Sequence, residues 1–131
     1  MIYPDANVVI RLIEGDAVAR APIEARLRPL RGTGRFLMTS RRTRLECRVK
    51  PLRVGDAALL TLYDDFFMSA EVGLLDLTAA VVEKATDLRA TLNVKTPDAL
   101  HLASAILAGA SAFLTGDRGL ARCTEISVEV L

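Results

Sequence analysis

Strand-length apolar runs alternate with helix-length stretches along this whole sequence, and that alternation decides its fold class. Met1–Tyr3, Phe36–Thr39, Val72–Leu77, Ala112–Leu114 and Ile126–Val130 read as strands. Helical stretches are expected over residues 6–13, 17–30, 40–50, 54–67, 78–92 and 96–109. Strands that alternate with helices imply an α/β fold in which a parallel sheet is covered on both faces. No repeat, low-complexity tract or long linker divides the chain, so residues 1–131 are expected to form a single domain.

Local signals set the element ends. Asp5 is placed to cap the first helix, and Thr78 a later one. Pro51 is expected to end the helix that begins at Ser40 or Arg41. Thr96-Pro97 reads as a helix start, with Thr at the cap and Pro at the first helical position. Leu59, Leu60, Tyr63, Phe66 and Phe67 share one helical face, which reads first as cover for the sheet. Aromatic residues make up only 5% of the chain and Trp is absent, so the core must come from Leu, Val, Ile and Ala. No apolar run is long enough to span a bilayer and the first residues lack a secretion pattern, so a cytoplasmic location without a membrane partner is expected. Cys47 and Cys123 are not spaced as a metal knuckle and are expected to be reduced thiols.

Four acids carry the functional signal. Asp5, Glu46, Asp98 and Asp117 lie at the exits of predicted strands or in the helices that follow them. In an open α/β sheet those points gather at one end of the strands, where ligands bind. Four carboxylates gathered there repel one another unless a cation sits between them. Hard oxygen ligands suit Mg²⁺ or Mn²⁺, and so point to chemistry on phosphates. Asn7, Ser40 and Thr115 are small polar neighbours placed to orient the carboxylates or metal-bound water. The one histidine, His101, follows Asp98 by a turn on an Ala- and Leu-rich helix and reads as a packing residue.

Charge is unevenly spread. Residues 1–53 hold twelve of the 17 basic and five of the 16 acidic residues, so this part is net basic by seven and the remainder net acidic by six. Arg41, Arg42, Arg44, Arg48, Lys50 and Arg53 concentrate the excess around Glu46. Such a stripe is the footprint of a phosphate-backbone binder, and Arg41, Arg42 and Arg44 are the expected contacts to nucleic-acid phosphates.

At these residues the sequence resembles the PIN-domain nucleases, and in particular the VapC toxins of bacterial and archaeal toxin–antitoxin pairs. The resemblance rests on Asp5-Ala6-Asn7 after the opening strand, on Ser40-Arg41-Arg42-Thr43-Arg44-Leu45-Glu46, on Thr96-Pro97-Asp98-Ala99-Leu100-His101-Leu102-Ala103-Ser104-Ala105-Ile106, and on Phe113-Leu114-Thr115-Gly116-Asp117. It implies a three-layer α/β/α fold with a central parallel sheet of about five strands. It implies a metal-dependent endoribonuclease in which Asp5, Glu46, Asp98 and Asp117 are catalytic and hold Mg²⁺, with Mn²⁺ as an alternative. Asp5 and Asp98 are the pair most expected to hold the ion. Asn7, Ser40 and Thr115 match the family's accessory polar positions. A homodimer and a small antitoxin that blocks the toxin are implied as well. Pro4 and Gly116 depart from the family pattern without removing a ligand. Two other readings compete: a non-catalytic interaction module on the same fold, and an aspartate-nucleophile phosphatase. The second needs another Asp where this chain has Asn7.

Overall fold

The computed structural model describes residues 1–131. Strands β1 (Ile2–Pro4), β2 (Leu37–Ser40), β3 (Val72–Leu75), β4 (Ala112–Thr115) and β5 (Val128–Val130) form one sheet in the order β3-β2-β1-β4-β5. Every pairing is parallel. Helices α1 (Ala6–Glu14), α2 (Ala17–Leu27), α3 (Arg41–Val54), α4 (Ala57–Met68), α5 (Ala79–Leu92) and α6 (Thr96–Leu107) supply the crossovers. The expected α/β/α architecture and its five strands are both present.

Successive side chains of a strand point to opposite faces, and the core divides accordingly. On one face Tyr3 and Phe113 pack beneath Val81, Ala85 and Leu88 of α5 and Leu102, Ala103 and Ala105 of α6. On the other, Ile2, Leu37, Val72, Ala112 and Leu114 pack against Val8 of α1 and Ile23 and Leu27 of α2. Val9, Cys47, Tyr63 and Phe67 form a third cluster that fixes the α3–α4 pair to α1. Tyr63 and Phe67 thus serve the core, while Phe66 is only partly buried. Both cysteines are free and buried, and burial pushes the Cys47 thiol up to about 12.

Several boundaries differ from those expected, and three of the differences have a clear local cause. Pro51 does not end α3, which continues to Val54. The actual stop is Gly55, whose φ of 71° is left-handed and whose N–H caps the helix on the Pro51 carbonyl. A Cβ at Gly55 would meet nothing within 4 Å, so only the backbone conformation resists substitution. Gly55→Ala is therefore expected to cost about 1 kcal/mol of unfolding free energy, read by chemical denaturation with no change in the slope. At α6 the cap is Lys95, which makes no side-chain bond, and Thr96 already lies inside the helix. The stretch 17–30 ends as an α-helix at Leu27 and closes with a tighter 3-10 turn at Arg28–Leu30, where Pro29 fits the first turn. No helix is long and apolar enough to cross a membrane.

Candidate functional site

The sheet's strand order creates the site. From β1 the chain steps outward through β2 to β3, then crosses back to place β4 on the other side of β1. The crossovers leaving β1 and β4 therefore diverge, and a crevice opens beyond their carboxyl ends. Asp5 follows β1 directly, and Thr115 closes β4 with Asp117 two residues on.

Asp5 is held on both oxygens. Its Oδ1 accepts the Val8 N–H at 2.9 Å, the expected helix cap. Its Oδ2 accepts the Thr115 hydroxyl at 2.6 Å. Thr115 Oγ1 in turn accepts the Asp117 N–H at 3.0 Å. Asp5 and Thr115 are 5% and 0% exposed, so their geometry is fixed by packing as well as bonding. Asp117 Oδ1 accepts the Gly119 N–H at 2.8 Å, which holds the loop after β4 in a tight turn. The residue itself is exposed.

Asp98 faces this pair from the first turn of α6 and is half-buried. Burial raises its carboxyl above the usual range, and the charges of Asp117 and Asp5 raise it further. His101 and Lys95 act in the opposite direction and do not outweigh these causes. Asp5, Asp98 and Asp117 thus form one electrostatic trio that the protein leaves partly unneutralised. A divalent cation would relieve that repulsion, and its preference for hard oxygen matches the donors present. A carboxylate has about four lone-pair sites, so Asp5 keeps acceptor capacity beyond its two bonds. The residues fit a Mg²⁺ or Mn²⁺ ion, although no three His, Cys, Asp or Glu side chains are drawn together tightly enough to enclose one as they stand.

Glu46 is placed differently. It projects from α3 with Arg42 Nε 2.5 Å from Oε1 and His101 Nε2 3.3 Å from Oε2. Burial works to raise its carboxyl, but His101 and then Arg42 outweigh burial and hold it below the usual range. His101 is only 2% exposed, so it packs as expected, yet it also bonds at both ring nitrogens. Its spacing of three residues from Asp98 is the one sequence signal of that role, since positions i and i+3 share a helical face.

Of the accessory residues, Ser40 is buried and caps α3 through Thr43 N at 3.4 Å. Asn7 is exposed in the first turn of α1. The basic stripe is largely paired. Arg41 meets Asp76 at 2.5 Å, Arg48 meets Asp64 at 2.9 Å with Arg44 at 3.9 Å from the same carboxylate, and Lys50 meets Glu14 at 3.1 Å. The Arg41 and Asp76 side chains are 59% and 72% exposed, so their bridge contributes about 0–1 kcal/mol and leaves the guanidinium open to exchange.

Comparison with known proteins finds the same fold elsewhere. Residues 2–126 match the family model of the PIN domain. The structure of DNA-bound VapBC from Salmonella typhimurium has a TM-score of 0.78 at 19% identity, covering 98% of this chain and 96% of that one. VapC20 from Mycobacterium tuberculosis, a toxin that cleaves the sarcin–ricin loop, gives 0.70 at 21%, covering 97% and 99%. A toxin–antitoxin complex from Klebsiella pneumoniae gives 0.69 at 20%, covering 96% and 95%. At these identities the likeness is one of fold. No curated protein sequence matches the chain.

Proposed function

We propose that this chain, which belongs to the PIN domain family, is a metal-dependent endoribonuclease and the toxin of a type II toxin–antitoxin pair. The observation that carries the reading is the convergence of Asp5, Asp98 and Asp117 at the crossover of the sheet, where burial first and then the charges of Asp117 and Asp5 raise the Asp98 carboxyl. Carboxylates are arranged this way where a cation is wanted.

Asp5 and Asp98 would hold the ion, with Glu46 and Asp117 beside them as further ligands or water-orienting groups. When bound, Mg²⁺ or Mn²⁺ supplies charge to the phosphoryl oxygen and makes water more acidic at neutral pH. Thr115 keeps Asp5 in one orientation and ties Asp117 to the same hydroxyl, so the β4 end acts as a fixed wall. Asn7 is exposed in the first turn of α1, two residues from Asp5, so its amide is free to meet substrate or solvent. Arg41, Arg42 and Arg44 would contact the RNA backbone by exchanging their carboxylate partners for phosphates. The exchange is favourable at the exposed Arg41 bridge and harder at Arg42, whose side chain is 29% exposed.

An antitoxin is proposed as the protein partner, by analogy with the Klebsiella complex. A cleft of about 330 Å³ between α1, α2 and α4 offers a groove lined by Leu12, Ile13, Leu27, Phe36, Phe66 and Val72. Arg20, Arg31, Asp65 and Glu71 line it as well, so its form suits an amphipathic helix rather than a purely apolar one. A homodimer is proposed on family grounds alone.

The direct test is cleavage of RNA by purified protein with and without added Mn²⁺. Cleavage that needs the ion is expected. Mn²⁺ binding without cleavage would favour a non-catalytic interaction module. A phosphate role for Arg42 has its own check: Arg42→Ala is expected to weaken RNA binding uniformly and lower the salt slope by about 1. An unchanged slope would remove Arg42 from the RNA interface and leave it as the partner of Glu46.

A further inference from the structure

The core below the acidic hollow is not all hydrocarbon. Tyr3 and His101 are 0% and 2% exposed, and Tyr3 Oη lies 2.9 Å from His101 Nδ1. His101 Nε2 reaches Glu46 Oε2 at 3.3 Å. Ser40, Thr43 and Ser104, all buried, bring side-chain oxygens toward the same phenol.

The periods of strand and helix explain the layout. Tyr3 and Asp5 are two residues apart on an extended chain and share a face; Asp98 and His101 are three apart on a helix and share one too. The two elements therefore stack in tiers, with aspartates at the rim and a phenol–imidazole pair beneath. Glu46, entering from α3, is the one of the four acids bonded to the lower tier. The bonding has a direction. An ionised carboxylate only accepts, so Nε2 carries the hydrogen, and in the neutral ring Nδ1 is then the acceptor for the Tyr3 hydroxyl. Buried polar groups cost stability unless they are satisfied, and Phe and Leu would fill these two places more simply. What Tyr3 and His101 add over Phe and Leu is the direction of a bond.

We propose that His101 is a positioning residue for Glu46. The Tyr3 hydroxyl fixes the ring, and the ring fixes the carboxylate against α6, the helix that also carries Asp98. The inference rests on reading the hollow as a metal-assisted ribonuclease site.

Two substitutions separate positioning from packing. In His101→Gln the amide reaches the place of Nε2 and can still donate to Glu46. In His101→Asn it reaches only the place of Nδ1. Mn²⁺ affinity of the RNA-free protein would be measured by titration calorimetry, kcat and KM on an RNA oligonucleotide, and melting by circular dichroism. His101→Asn is expected to weaken Mn²⁺ binding about 10–100-fold, as loss of an outer partner of a metal ligand does, and to lower kcat with KM little changed. His101→Gln is expected to restore most of both, with a similar loss of Tm. Equal losses in the two variants, or wild-type Mn²⁺ affinity in His101→Asn, would overturn the proposal. Should the His101 variants not fold, Tyr3→Phe removes the tether and keeps the ring; a smaller loss of Mn²⁺ affinity in the same direction is expected, and no loss overturns the proposal. Wild-type protein that binds Mn²⁺ but cleaves no RNA defeats the ribonuclease reading alone, because the variants' affinities still decide the role of His101. Wild-type protein that binds no Mn²⁺ defeats both.

Discussion

Asp5→Asn is expected to abolish Mn²⁺-dependent RNA cleavage, a loss of about 10³-fold or more, while leaving the fold intact. The stability half follows from the bonds Asp5 makes. Asn is as good a helix cap as Asp, so its side-chain oxygen can keep the Val8 N–H. Thr115 can turn its hydroxyl and accept the new amide hydrogen, because a hydroxyl has two lone pairs and the Asp117 N–H occupies one. Tm should therefore move by no more than a few degrees. The activity half follows from charge. Asn brings a neutral group to the site's most fixed carboxylate position, and that loss exceeds the 10–100-fold typical of groups that merely orient a ligand. Cleavage that persists in Asp5→Asn at more than a tenth of the wild-type rate would show that the chemistry lies elsewhere.

Asp98→Asn is expected to move activity and stability in opposite directions. Cleavage should fall by about 10²-fold or more, and the metal-free protein should melt a few degrees higher. Burial, then Asp117 and Asp5, raise the Asp98 carboxyl in the folded chain. A folded-state pKa above the unfolded value means that the native protein holds the proton more readily. Ionisation therefore destabilises the native state in full above the folded pKa. The penalty fades as pH falls through that value toward the unfolded one near ~3.9. The Tm gap between Asp98→Asn and wild type should be positive at pH 7 and close on acidification toward pH ~4. Added Mn²⁺ should raise the wild-type Tm and hardly move that of the variant. A gap that stays constant or reverses with pH would mean that repulsion within the trio is not what strains Asp98.

The parts of the site carried by strand ends are legible in the amino-acid sequence. Asp5 follows β1, Thr115 ends the adjacent parallel β4 and Asp117 comes just after it, and parallel strands bring their exits to one edge. The first turn of α6 is legible for a similar reason, since Pro97 marks a helix start and Asp98 lies just inside it. The side-chain pairings are not. Tyr3 and His101 are 98 residues apart and His101 and Glu46 are 55 apart, distances over which no local period speaks. The basic stripe looks free in sequence because its neutralising partners, Asp64, Asp76 and Glu14, lie on other elements. Pro51 looks like a terminus because its missing N–H weakens a helix. α3 nonetheless runs one turn further to a residue that can adopt a positive φ. Local propensity proposes an end, and packing decides whether it is used.

The pairing of β1 with β4 also dictates when the chain can become competent during its own synthesis. Asp5 is among the first residues made, yet its hydroxyl donor is Thr115 and its backbone N–H bonds the Leu114 carbonyl. A nascent chain that stops short of those residues has half of a crevice and one unanchored carboxylate. Whatever chemistry the completed hollow supports must wait until translation has passed the fourth strand.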